Sequence, residues 1–113
     1  MIAEIVSLSA YESQVSKLLN EDERMAMEFH IACAPEDHPV IPGAGGFRKA
    51  RWARRGKGKS GGYRVVYFFL AEPGQIYMAA IYPKSRMENL TVADQNVLAK
   101  LAAQIKKAAK GRR

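Results

Sequence analysis

A single cysteine, Cys33, leaves this chain without any intramolecular disulfide, so its fold rests on packing and hydrogen bonding in a reducing setting. Histidine is almost as scarce. His30 and His38 stand alone, without partners at ligand spacing, and predict no metal site and no cofactor. No apolar run reaches the twenty or so residues that a membrane-spanning helix needs. The first residues also lack the basic start and long apolar stretch of a signal peptide, and the expectation is a cytoplasmic protein with no membrane partner. Acidic residues are absent from Val40 through Ala71.

What is present divides by charge. Residues 1–46 hold two bases and eight acids, a net of −6, whereas residues 47–113 hold sixteen bases and three acids, a net of +13; together they give the overall +7. One polarised molecule follows, with a basic side suited to nucleic acid or to an acidic protein competing for the same surface. With 48% hydrophobic and 26% charged residues the composition is globular, and 113 residues predict a single domain over 1–113.

Read in order, Met1 to Val6 predicts a short strand. Tyr11, Val15, Leu18 and Leu19 then recur at helical spacing. Asn20 with Glu23 has the form of a capping box opening a second helix, which Pro35 ends. Met25, Phe29, Ala32 and Cys33 are its expected buried stripe. A proline- and glycine-rich connector runs from Pro35 to Gly46. Phe47–Ala53, Arg64–Leu70 and Gln75–Tyr82 predict a three-stranded meander, with Gly56–Gly62 as a loop tip between the first two. Thr91–Asp94 caps a final amphipathic helix. The order β-α-α-β-β-β-α implies an α+β fold: a small antiparallel sheet with an N-terminal helical hairpin and a C-terminal helix, the helices mostly on one face.

Between Arg48 and Arg64 lie eight Lys or Arg. Such a patch can protect a sheet edge from aggregation, but its density favours a phosphate backbone as partner. Trp52, Tyr63, Tyr67 and Tyr82 are interleaved with the cations and are candidates for base stacking. Gly58-Lys59-Ser60 is not a nucleotide loop: residue 53 is Ala53 rather than glycine, and a strand-like run follows instead of a helix. Cleaving RNA through its own 2′-hydroxyl needs alignment, proton transfer and stabilisation of charge on a phosphate. Arginine and lysine supply the last of these.

Three blocks carry a resemblance: Val40 to Trp52, Gly56 to Phe68 with its Gly-Gly-x-Arg-aliphatic-aliphatic-Tyr core, and Ile81 to Lys84 followed by Asn89-Leu90-Thr91. The sequence resembles the RelE/HigB-type toxins of bacterial toxin–antitoxin pairs. That resemblance implies a ribosome-dependent mRNA interferase silenced by a cognate antitoxin, a helix-turn-helix protein through which alone operator DNA would be contacted. It assigns Arg64 to the cleaved phosphate, Lys84 to an acid or electrostatic role and Tyr82 to positioning a base. Arg48, Lys49, Arg51, Lys57 and Lys59 would hold RNA backbone, and Tyr63 is the further RNA-binding candidate. Relatives often carry Lys-Asn-Glu where this chain has Lys84-Ser85-Arg86, so no carboxylate base stands directly after Lys84. The same surface would also serve a non-catalytic RNA- or ribosome-binding module, or an inactive relative acting as a transcriptional co-regulator.

Overall fold

Alternating apolar residues on both faces of the longest strand set the architecture, because both faces must then be covered. The computed structural model describes residues 2–54, 58–84 and 90–111. The elements are β1 (Glu4–Ser7), α1 (Ser9–Leu18), α2 (Glu21–Cys33), β2 (Arg48–Arg54), β3 (Gly58–Leu70), β4 (Gln75–Pro83) and α3 (Val92–Gly111). The α+β class and the element order agree with the sequence reading. Among the described residues no helix is long and apolar enough to cross a membrane.

The sheet order is β1-β4-β3-β2. β2, β3 and β4 form the expected antiparallel meander. β1, however, runs parallel to β4, pairing Glu4 with Gln75 through Ser7 with Met78, so the sheet is mixed rather than purely antiparallel. The cause is the helical hairpin. It carries the chain across the sheet, and a crossover returns the next strand in the starting direction.

Helices cover both faces, which corrects the expectation of one. On one side Tyr11, Val15, Leu19, Met27 and Ile31 pack against Ala50, Val65, Tyr67 and Met78. On the other, Ala102 and Ile105 of α3 join Ile41 and Ala44 of the connector against Phe47, Val66 and Phe68. β3 contributes alternately to both layers, as its sequence predicted. The glycine-rich stretch does not form a loop tip throughout: Gly58 to Gly62 belong to β3, and residues 55–57 lie outside the described residues. Strand pairing with β2 overrides the low strand preference of glycine there.

The capping box at α2 forms as read. Glu23 N–H donates to Asn20 Oδ1 at 2.8 Å, and Asn20 N–H reaches Glu23 Oε1 at 3.4 Å. The buried stripe differs. Met27, Ile31 and Ala32 are buried, whereas Met25 and Phe29 are 64% and 60% exposed, and Cys33 is exposed too. Arg24 and Glu28 explain the phase. Arg24 donates from both terminal nitrogens to Glu12 at 2.7 Å and from Nε to Glu28 at 3.0 Å, while the Tyr11 hydroxyl donates to Glu28. This cluster turns the 24/28 side of α2 toward α1 and leaves Met25 and Phe29 outside.

Candidate nucleic-acid interface

Placement of the basic residues follows from strand parity. Ala50 belongs to the layer under the helical hairpin, so Arg48 and Trp52 share that side, while Lys49 and Arg51 face the α3 side. Arg64 lies on the α3 side as well, directly opposite Arg51 in the β2–β3 ladder and opposite Tyr82 in the β3–β4 ladder. Arg51, Arg64 and Tyr82 thus form one row across three strands.

Tyr82 would not join that row in a regular strand. Val66 pairs with Ala80 but Tyr67 pairs with Met78, so Ala79 is an extra residue in β4. The bulge shifts the alternation: Met78 and Ile81 both face the helical hairpin, and Tyr82 is delivered to the face that holds Arg64. A glycine makes a second adjustment. A Cβ on Gly62 would stand 2.5 Å from the Trp52 carbonyl oxygen, so the close approach of β2 excludes any side chain there. Gly62 also accepts a hydrogen bond from the Lys84 backbone N–H at 3.0 Å, fixing Lys84 beside the same end of the sheet.

Arg64 is 6% exposed, yet among the described residues its guanidinium makes one long bond, Nη1 to the Tyr63 carbonyl oxygen at 3.4 Å. The ion pairs among the described residues belong to Arg24, and none reaches Arg64. A buried cation without a counter-charge is costly, and the equally unpaired Arg51 opposite adds like-charge repulsion. The Tyr82 hydroxyl is buried with no hydrogen-bond partner among the described residues. Burial raises its phenol above the ordinary value; the Arg64 charge opposes that shift and Asp94 adds to it. The phenol is therefore a neutral donor, unsuited to act as a base at neutral pH. The geometry provides two guanidinium-bearing positions and one hydroxyl on one face, with no partner among the described residues beyond the long Arg64–Tyr63 bond. That arrangement suits an anion with several acceptor oxygens.

The expected RNA ligands separate. Lys49 and Arg51 face the same side as Arg64, and the Lys84 backbone is held against Gly62 at the same end of the sheet. Arg48 does not join them: its Nη1 donates to the His38 carbonyl oxygen at 2.7 Å and to that of Glu36 at 3.3 Å, clamping the connector on the opposite face. Tyr63 is core, packed beneath α1 with its hydroxyl 3.4 Å from the Leu18 carbonyl oxygen. Lys57 lies outside the described residues, and Lys59 is placed only by its backbone in β3. Asp94 was read from sequence only as a cap. It does cap α3, exchanging bonds of 3.1 Å with Thr91, but it also contributes charge beside Tyr82. Only the folding of α3 over the sheet reveals that second relation. Among the described residues no group of His, Cys, Asp or Glu could hold a metal ion.

A four-stranded mixed sheet between two helical layers, with Arg51, Arg64 and Tyr82 in one row at one end, defines a small basic α+β protein. The chain belongs to the RelE toxin family: the family model described as the RelE toxin of the RelE/RelB toxin–antitoxin system matches residues 43–112. Its fold is similar to that of the E. coli toxin RelE, solved as a double mutant in the free state, with a TM-score of 0.58 and 18% sequence identity. That likeness covers 86% of this chain and 96% of the E. coli one.

Proposed function

We propose that this toxin is a ribosome-dependent mRNA endoribonuclease of the cytoplasm, acting as one domain over residues 1–113 and neutralised by a cognate antitoxin. The observation that carries the reading is the buried Arg64 guanidinium, set between Arg51 and Tyr82 without a counter-charge among the described residues. A scissile phosphate placed there would receive charge-assisted hydrogen bonds from Arg64 as negative charge accumulates on it. Tyr82, protonated and partnerless, would donate to a phosphate oxygen or position the adjoining base. Lys84 would act as acid or electrostatic partner, and Lys49 and Arg51 would hold the flanking backbone, with Lys57 and Lys59 extending that hold.

The row contains no base suited to neutral pH. Asp94 is the carboxylate that bears on Tyr82, and its Oδ2 already accepts the Thr91 N–H. Alignment must then supply most of the acceleration, and orientation can account for about 7–11 kcal/mol of a barrier. A ribosome that fixes the messenger provides such alignment. An antitoxin carrying a helix-turn-helix and an acidic segment would match the +13 half of the chain and bring the pair to operator DNA.

The deciding experiment compares wild type with Arg64→Ala on one messenger, with and without programmed ribosomes. Wild type should cut only on ribosomes, and Arg64→Ala should be slower by about 10²–10³. Equal rates for the two proteins would overturn the assignment of Arg64. Equal rates with and without ribosomes would leave a free ribonuclease. Binding without any cut product would leave an RNA-binding module.

A further inference from the structure

α2 is apolar on two sides, and the fold covers one of them. Met27 and Ile31 are buried beneath the helix, while Met25, Ala26, Phe29 and Cys33 share the outer side and are all exposed. Single exposed apolar residues are ordinary on a protein surface. A methionine and a phenylalanine one turn apart, continued by Ala26 and Cys33, make a contiguous stripe, and such a patch marks an interface. Methionine and phenylalanine are also the residue types that interface cores favour.

Charge frames the stripe. Glu21 and Asp22 stand at its N-terminal end, and Glu36 and Asp37 follow its C-terminal end, all four exposed. None of them belongs to an ion pair among the described residues. Residues 1–46 contain two bases, and neither neutralises the frame: Arg24 is held by Glu12 and Glu28, and Lys17 lies in the last turn of α1. Arg48 meets Glu36 through its carbonyl oxygen, not its carboxylate. From Asp22 to Cys33 the helix runs about 16 Å, so the surface has an apolar centre and a carboxylate pair at each end.

That pattern decides among occupants. RNA is repelled, because the flanking charges have the sign of its own phosphates. A second copy related by two-fold symmetry would lay α2 against α2, and carboxylates would then meet carboxylates whichever way the helices run. The complement is a segment that is cationic at both ends and apolar between, its lysines or arginines reaching the carboxylate pairs while its apolar side chains cover Met25 and Phe29. We infer that the outer face of α2 docks a basic amphipathic segment of a protein partner. The face lies on the hairpin side of the sheet and Arg64 on the α3 side, so the inference holds or fails independently of RNA cleavage.

The test uses the full chain labelled with ¹⁵N and four probes: a synthetic helical peptide with leucines one turn apart and a lysine pair at each end, the same peptide with glutamates for the lysines, a polylysine of equal charge, and single-stranded RNA. The lysine peptide should shift the amides of Asp22, Met25, Ala26, Phe29 and Cys33 and leave those of Arg51 and Arg64 in place. Its affinity should fall at least about tenfold in Met25→Ala/Phe29→Ala and, separately, in Asp22→Asn/Asp37→Asn. All four positions are exposed, and urea midpoints close to wild type distinguish lost affinity from lost fold. A second reading needs no variant: wild-type affinity should weaken as salt rises through about 0.15 M. Polylysine or the glutamate peptide binding as tightly as the lysine peptide would overturn the inference, the first by reducing it to charge and the second by removing charge from it. Unmoved α2 amides at about 1 mM lysine peptide would overturn it as well. RNA shifting those amides would assign the face to nucleic acid, and self-association lost in Met25→Ala/Phe29→Ala would assign it to a second copy; either result replaces the basic partner.

Discussion

Arg51 and Arg64 are direct cross-strand neighbours, two cations on one face of an antiparallel pair with no carboxylate paired to either among the described residues. Opposed like charges destabilise a sheet by up to about 1 kcal/mol. The pair should therefore bind an anion even in the free protein. Arg51→Gln should leave the fold as stable as wild type, or up to about 1 kcal/mol more so, in low-salt buffer without phosphate. Inorganic phosphate should raise the melting temperature of wild type and have a smaller effect on the variant. Thermal unfolding with and without phosphate measures both. An undiminished phosphate effect in Arg51→Gln would separate the two arginines functionally.

His38 predicts a pH dependence. Its ring is half-buried in the connector, edge-on to the Tyr67 ring at 6.1 Å, and its Nε2 has no partner among the described residues. Burial lowers its pKa, with His30 and Arg48 adding to the shift and Asp37 opposing it. The unfolded chain, at roughly 6.5, therefore takes up a proton before the folded chain does. Stability should fall as pH drops through that value and level off below the folded pKa. The urea midpoint should decrease between about pH 7.5 and 5.5, a range that leaves most carboxylates ionised. His38→Gln should flatten this slope. An unchanged slope in the variant would assign the effect to other groups.

The phase of α2 is open to a direct stability measurement. Met27→Ala removes a fully buried side chain and should cost about 2–5 kcal/mol. Met25→Ala and Phe29→Ala change exposed positions and should stay within about 0.5 kcal/mol of wild type. Denaturant titration of the three variants decides the matter, and a larger loss for Phe29→Ala than for Met27→Ala would reverse the phase.

Legibility in the sequence tracked how local each feature is. The Asn20–Glu23 capping box, the Tyr11/Val15/Leu19 stripe and the apolar run of β3 depend on neighbours within a few residues, and each could be read directly. α2 could not, because it offers two apolar stripes, one through Met25 and Phe29 and one through Met27 and Ile31. The choice is made by Arg24 and Glu28 contacting Glu12 and Tyr11, a relation between helices with no periodic signature. The site divides in the same way. Arg64 and Lys84 were visible as motif residues, and the alternation in β2 separates Arg51 from Arg48. The Ala79 bulge that turns Tyr82 toward Arg64 leaves no trace in a run of small and aliphatic residues. Tyr63 was misplaced because a tyrosine among cations has the same sequence signature whether it stacks on a base or fills the core.

The parallel pairing of β1 with β4 also bears on how the protein is made. Glu4 and its partner Gln75 lie some seventy positions apart, and Glu4 is synthesised first. Until β4 emerges, β1 has no neighbour in the sheet and Arg64 has no Tyr82 beside it. α3, which covers that face, is made later still. Chains fold as their segments appear, and contacts of such long sequence separation form late. The row of Arg51, Arg64 and Tyr82 is thus absent from the growing polypeptide until β4 has joined the sheet.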